Sequence, residues 1–114
     1  KSAGGDLEVE YDEQSVLQAV KNILSTIKGE RVRSGLGSNL LAYLFEPMQP
    51  DTVDDIRTEV FNNLREYEPR INKLDVRVVP KYDKHIYEIY MRFTVNRFTR
   101  PLSFQINLNA MNEN

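Results

Sequence analysis

Carboxylates are the residues of this sequence best placed to do chemistry. Glu30, Glu46 and Glu68 each lie near a predicted helix end and beside apolar residues. A glycosidase needs two such groups, held either ~5 Å or ~6.5–9.5 Å apart across a sugar bond. The chain has 17 Asp and Glu residues, so this requirement selects no particular pair. Helix capping or pairing with nearby arginines explains the same three residues without catalysis.

Other kinds of catalytic site find little support in the sequence. The chain has no cysteine and one histidine, His85, which excludes disulfides, thiolate zinc sites and His-rich metal sites. His85 opens a predicted strand, where a surface role is the simpler interpretation. The glycine-containing segment 29–37 matches neither a phosphate-binding loop nor a dinucleotide fingerprint. We therefore expect no catalytic residue, no metal and no cofactor.

Two charged segments at helix ends are not explained by core packing. One is the turn Glu68, Pro69 and Arg70. The other is a loop whose notable residues are Gly29, Glu30, Arg31 and Arg33. An arginine in such a turn can offer two parallel N–H donors to a carboxylate or to backbone carbonyls. Each segment is therefore either a local ion pair that shapes the turn or a contact site for a partner.

Size and charge narrow the class of protein further. A chain of 114 residues predicts one domain, residues 1–114, with 1–5 as a flexible lead-in. Fifteen Lys and Arg against 17 Asp and Glu give a net charge of −2, which argues against nucleic-acid binding. No apolar run approaches the ~20 residues that span a bilayer. The first residues also lack a basic-then-apolar leader, so we expect no secretory signal.

Three helices are predicted to position these groups. Their predicted caps are Asp12, Ser38, and Thr52 with Asp55 as a capping box. A residue before proline is driven out of the helical region, so the third helix should end before Pro69. The apolar positions at helical spacing are Val16, Leu17, Val20, Ile23, Leu24 and Ile27, then Leu40, Leu41, Leu44 and Phe45, then Val53, Ile56, Val60, Leu64 and Tyr67.

Strict alternation of apolar and polar residues predicts strands. One short strand precedes the helices, with Leu7, Val9 and Tyr11 on one face. Three more strands follow the third helix, within residues 74–78, 87–95 and 102–110. Because helices and strands are segregated, we expect an α+β fold with three helices packed on one face of a small, mainly antiparallel sheet.

The last strand is predicted to lie at an edge of this sheet. Its inward side chains are Leu102, Phe104, Ile106 and Leu108. Its outward side chains are uncharged and rich in amides, so charge does not guard it against pairing with another chain.

Five short segments, in order, carry a resemblance to a known family. They are Ile23-Leu24-Ser25-Thr26, Gly29-Glu30-Arg31, Gly37-Ser38, Leu44-Phe45-Glu46-Pro47 and Tyr67-Glu68-Pro69-Arg70-Ile71. Together they resemble the contractile-tail baseplate wedge family, which includes the sheath-initiating wedge protein of myophages and the small baseplate subunit of type VI secretion systems. The resemblance runs from about Ser15 to Leu108.

The resemblance implies a fold like the C-terminal domain of the tail sheath protein. It implies that Glu68, Pro69 and Arg70 dock on the core helical bundle of the wedge, with the Gly29–Arg33 loop in support. It also implies that the sheet edge at Leu102–Leu108 exchanges strands with the first sheath ring. Partners would be other wedge proteins and the sheath, with the tail tube or hub as further candidates, in a sixfold ring within the virion tail.

Two alternative functions remain open at this point. Some members of the family carry a tail-lysozyme label, so a peptidoglycan-cleaving glycosidase is one. A distant relative is an anti-adaptor that protects a stress sigma factor, so a cytoplasmic regulator is the other. Neither nucleic acid nor membrane is expected among the partners.

Overall fold

The computed structural model describes residues 12–27, 38–96 and 100–111, which form three helices followed by three strands. The elements are α1 (Glu13–Ile27), α2 (Ser38–Leu44), α3 (Pro50–Tyr67), β1 (Asn72–Lys81), β2 (Ile86–Thr94) and β3 (Leu102–Asn109). The predicted α+β fold is confirmed. The lead-in 1–5, the strand predicted at 7–11 and the loop 28–37 lie outside the described residues.

Helix α1 begins where its capping residue predicts. The Asp12 carboxylate accepts a hydrogen bond from the Gln14 backbone N–H at 3.1 Å, which satisfies one of the free donors of the first turn. Five residues of its apolar stripe are buried, namely Val16, Val20, Ile23, Leu24 and Ile27. The helix therefore faces the core with one side, as its periodicity predicts.

The predicted start of α3 is wrong. The helix begins at Pro50, with Gln49 as its N-cap, because proline needs no N–H at the first helical position. Thr52, predicted as the cap with Asp55, lies inside the first turn and is buried. Its hydroxyl donates to the Pro47 carbonyl at 2.8 Å and so fastens the preceding turn to the helix.

The sheet is antiparallel throughout, with β2 between β1 and β3. Ile89 pairs with Val78 on one side and with Ile106 on the other. This register puts most of the apolar side chains of the three strands on one face, among them Val76, Ile89 and Ile106. Glu88, Tyr90 and their neighbours face away from the core on the opposite face, as the alternation predicts.

One hydrophobic core joins residues from all six elements. Tyr87 and Phe93 are the largest of its fully buried side chains, and the Phe93 ring stacks on that of Phe104 with centroids 5.8 Å apart. The chain after β3 is also fastened to the helices, since the Met111 N–H donates to the Leu44 carbonyl at 2.7 Å. The core thus fixes both the end of α3 and the path of β3.

No described helix is both long and apolar enough to cross a membrane.

Candidate functional site

The turn that joins α3 to β1 is held by an ion pair within the turn itself. Glu68 caps α3, and its backbone N–H donates to the Leu64 carbonyl. Both oxygens of its carboxylate accept from the Arg70 guanidinium, from Nε at 2.6 Å and from Nη2 at 2.9 Å. The Arg70 backbone N–H adds a third bond at 3.3 Å. The local ion pair, one of the two interpretations of this segment, is therefore present.

Burial of this pair is strongly one-sided. Glu68 is 3% exposed, whereas the Arg70 side chain is 32% exposed and Pro69 is exposed. The Arg70 hydrogen bonds hold the pKa of Glu68 below its usual value, although burial opposes them. The Pro69 ring and part of the Arg70 side chain are thus exposed to solvent, while the Glu68 carboxylate that holds Arg70 is buried beneath them.

Sequence reasoning missed a second arginine that fixes this turn. The Nη1 atom of Arg65 donates to the Ile71 carbonyl at 2.9 Å, which ties the last turn of α3 to the start of β1. Ile71 itself is fully buried. The sequence does show a positive charge in the last turn of α3, which is favourable there. It does not show which carbonyl this arginine binds.

The register of β3 determines which of its backbone groups face away from β2. The Ala110 N–H donates to the His85 carbonyl at 3.0 Å, and the register to β2 is unbroken from Asn109 to Leu102. In an antiparallel ladder, alternate residues direct both backbone groups to the same side. The even-numbered residues of β3 therefore bond to β2. The residues that turn N–H and C=O outward are Ser103, Gln105, Asn107 and Asn109.

The inward side chains of β3 belong to the core rather than to the edge. Ile106 and Leu108 are buried, and Leu102 and Phe104 are partly buried against the core. Any strand added to β3 would therefore bond to the backbone of the odd-numbered residues. The four apolar residues named from the sequence position the strand and do not themselves form the edge.

The opposite edge of the described sheet is different in kind. By the same alternation, the outward backbone groups of β1 are those of Val76, Val78 and Pro80. Proline has no N–H to donate, and proline on an edge strand interrupts pairing. Of the two edges formed by described residues, β3 is thus the more receptive.

The structure describes two of the candidate catalytic carboxylates, Glu46 and Glu68. Glu68 is engaged by Arg70 with a lowered pKa, whereas a general acid needs a raised one. Glu46 is exposed just after α2. Burial is the main reason why the pKa of Tyr87 is raised, and the charge of Glu46 contributes. Glu30 lies outside the described residues.

The remaining predicted positions are His85 and the loop residues between Gly29 and Arg33. His85 is exposed in the turn between β1 and β2. Gly29, Glu30, Arg31 and Arg33 all fall in the segment that the structure does not describe. Within residues 12–27, 38–96 and 100–111, no group of three or more His, Asp or Glu side chains could hold a metal ion.

Within the described residues, these features define a class: a small α+β domain with an ion-paired turn and a sheet in which β3 pairs with β2 alone. A sequence model of the family described as "Baseplate wedge protein gp25" matches residues 10–98. The chain belongs to this family, as the five ordered segments predict. It is 37% identical over 83 residues to the baseplate wedge protein gp25 of Enterobacteria phage T4. That match covers 72% of this chain but 63% of the phage protein, so the chain spans less than two thirds of its relative.

Two solved structures share the fold. A protein described as a putative tail lysozyme from Geobacter sulfurreducens superposes with a TM-score of 0.70 at 23% identity, covering 95% of this chain and 99% of the other. A chain of the baseplate complex from the type VI secretion system gives a TM-score of 0.55 at 21% identity, covering 85% and 96%. At these identities the likeness concerns the fold alone.

Proposed function

We propose that this protein is a structural component of a contractile-tail baseplate wedge, acting by binding and not by catalysis. Its membership of the baseplate wedge family supports the proposal. So does the state of Glu68, whose carboxylate is committed to Arg70 and unsuited to acid catalysis. Its place would be the tail baseplate, in several copies arranged as a sixfold ring, with other baseplate proteins and the sheath as neighbours.

The turn Glu68, Pro69 and Arg70 is proposed as the contact to the helical core bundle of the wedge. A docking turn must keep its shape before the partner arrives, since ordering it on binding would cost affinity. The Glu68–Arg70 pair and the Arg65–Ile71 hydrogen bond provide this rigidity. Pro69 is exposed and the Arg70 side chain is 32% exposed, so both offer surface for a partner to contact. The Gly29–Arg33 loop is proposed to support this contact.

The edge of β3 is proposed as the place where an extended arm of the first sheath ring adds as a strand. The observation that carries this proposal is the row of outward backbone groups at Ser103, Gln105, Asn107 and Asn109, beside outward side chains that carry no charge. Strand addition takes its affinity from such backbone groups. Charge, the common protection of edge strands, is absent from these four positions.

Replacing Asn107 with proline tests strand addition directly. Asn107→Pro removes one outward N–H, and proline is tolerated where the N–H faces away from the ladder. We expect the purified variant to remain folded by circular dichroism but to retain no sheath protein when the two are co-expressed and purified together. Electron microscopy of assembled tails should find baseplates without sheath.

The matched control is Asn107→Ala, which removes the amide side chain and keeps the N–H. This variant should bind sheath as the wild type does. Full sheath binding by a folded Asn107→Pro variant would refute strand addition at β3. Loss of binding by both variants would locate the contact in the side chain instead.

A further inference from the structure

The sheet face opposite the helices carries a groove that neither the turn nor the β3 edge accounts for. Its volume is about 400 Å³. Its lining includes residues from all three strands, namely Asp75, Arg77, Val79, Tyr90, Arg92 and Ser103. The register explains why they meet, because Arg92 pairs with Asp75 on one side and with Ser103 on the other.

The groove holds two guanidinium groups and one carboxylate. Asp75 lies 3.6 Å from Arg77 Nε, and both side chains are largely exposed, at 61% and 77%. Arg92 is exposed as well. Within the described part of the chain it has neither an ion pair nor a side-chain hydrogen bond. One positive charge in the groove is thus left without a counter-charge.

Charge at this end of the sheet runs against the charge of the whole chain. Lys73 and Arg100 lie at the same end, because β1 starts, β2 ends and β3 starts there. Both are exposed. Among the described residues of the outer face, with Lys73 and Arg100 at its end, the five cations Lys73, Arg77, Lys81, Arg92 and Arg100 stand against the two carboxylates of Asp75 and Glu88, and Glu88 lies 4.0 Å from Lys81. The whole chain, by contrast, has a net charge of −2. The complementary ligand is an anion.

Apolar surface in the same groove restricts the kind of anion. Val79 is 36% exposed and Tyr90 is 39% exposed, and they are diagonal neighbours on β1 and β2. The Tyr90 hydroxyl donates to Glu88 at 2.8 Å, which fixes the ring in place. A ligand that covers these side chains needs apolar groups beside its negative charges, as an acidic polypeptide segment has.

We propose that this outer sheet face binds an acidic segment of a partner protein. The carboxylates of the segment pair with Arg77 and Arg92, and its aliphatic side chains cover Val79 and Tyr90. Nucleic acid is the less favoured ligand, since a chain of net charge −2 repels a polyanion as a whole. The contact is a third surface, separate from the turn and from the backbone edge of β3.

The test is a titration of the ¹⁵N-labelled protein with a defined acidic peptide, followed by amide NMR spectra. The probe is the acetylated heptapeptide Glu-Leu-Glu-Pro-Glu-Leu-Glu, whose central proline disfavours strand addition. We expect its shifts to centre on Arg77, Tyr90 and Arg92. The affinity should fall when NaCl is raised from about 20 to about 300 mM, because exposed charges are then screened.

Charge reversal provides the matched pair of variants. Arg77→Glu with Arg92→Glu should weaken binding at least about ten-fold, since like charges then face each other. Arg57→Glu with Lys84→Glu makes the same change of net charge at exposed positions on α3 and in the β1–β2 turn, and should bind as the wild type does. The unaffected part of the amide spectrum shows whether each variant is folded.

Four results would overturn the proposal. The first is equal binding of the same peptide with lysine in place of glutamate, and the second is a set of shifts centred on the β3 edge or on residues 68–70. The third is the absence of shifts at about 1 mM peptide. The fourth is tighter binding of a ten-nucleotide DNA strand at the same residues. None of these bears on sheath binding by the Asn107 variants. The two proposals therefore fail separately.

Discussion

At the scale of single residues, Glu68 and Arg70 form a pair that is easy to destabilise from either side. The carboxylate is almost fully buried, while the guanidinium is about one third exposed. Replacing the arginine with alanine leaves a buried anion without its two guanidinium hydrogen bonds, which is more harmful than removing both charges together. A loss-of-assembly result with Arg70 alone would therefore mix stability with docking.

A pair of variants separates the two effects. Arg70→Ala should lower the free energy of unfolding by about 1–3 kcal/mol, because a buried charged acceptor loses its donors. Adding Glu68→Gln should restore part of this loss, since the buried charge is then gone. Urea denaturation measures both. We expect neither variant to bind the wedge core proteins on size-exclusion chromatography.

Arg57→Ala serves as the control, because Arg57 is exposed on α3 and surface substitutions of this kind change stability by at most about 0.5 kcal/mol. It should retain both stability and wedge binding. Normal wedge assembly by the folded double variant would remove Arg70 from the docking surface.

The lowered pKa of Glu68 makes stability depend on acid in a known direction. A carboxyl whose folded pKa lies below its ordinary value of 4.5 stabilises the fold above that value, and the contribution is lost as pH falls through the folded pKa. The stability of wild type minus that of Glu68→Gln should therefore be greatest near pH 7. It should shrink below about pH 4.5.

Urea denaturation of both proteins between pH 7 and pH 3 measures this difference. The exposed variant Asp75→Asn is the reference for general effects of acid on surface carboxylates. A difference that stayed constant over the whole range would mean that Glu68 titrates normally in the folded protein.

Which contacts of this turn the sequence can predict depends on how far apart the two partners lie along the chain. Glu68 and Arg70 are two residues apart across a proline, so their pairing is one of the interpretations that the sequence alone allows. Arg65 reaches a carbonyl six residues away, across a bend whose angle no local pattern specifies. Docking itself involves a surface of another molecule, and the sequence carries it only through the family resemblance.

At the scale of elements, the junction between α2 and α3 depends on a buried hydroxyl. Thr52 joins the first turn of α3 to the Pro47 carbonyl, which precedes that helix. Sequence reasoning placed a helix cap at Thr52, because threonine followed three residues later by an acid is typical of one. The helix starts two residues earlier, at Pro50, because proline is well suited to the first helical position.

Thr52→Ala tests the junction. The variant leaves the Pro47 carbonyl without this donor, and we expect a loss of about 1–2 kcal/mol in the free energy of unfolding. Thr58→Ala, an exposed position in the same helix, should change stability by less than about 0.5 kcal/mol. Equal effects of the two substitutions, measured by urea denaturation, would mean that the hydroxyl bond is dispensable.

The strands were predictable as elements, and their pairing was only partly so. Alternation identifies which side chains of β1, β2 and β3 face the core, since a buried face requires a period of two. That β2 is central depends on how all three strands cover the helices together. The edge position of β3 follows from that arrangement and agrees with its uncharged outer face.

At the scale of the whole molecule, the segregation of helices and strands along the chain was sufficient to predict the α+β fold class. One core uniting all six elements accounts for this, because each apolar stripe has a single place to be buried. The charge asymmetry of the sheet was not visible in the sequence. Arg77 and Arg92 are separated along the chain and become diagonal neighbours through the register of β1 and β2 alone.

Pro80 has a consequence for stoichiometry. A flat sheet with two equivalent borders can recruit subunits without limit, which is how fibres grow. Here the β1 border lacks a donor at Pro80, near the end of the strand, whereas the outward residues of β3 include no proline. Under the strand addition proposed for β3, each subunit would accept one incoming arm there and offer a poorer border at β1, so that recruitment would stop at a defined number.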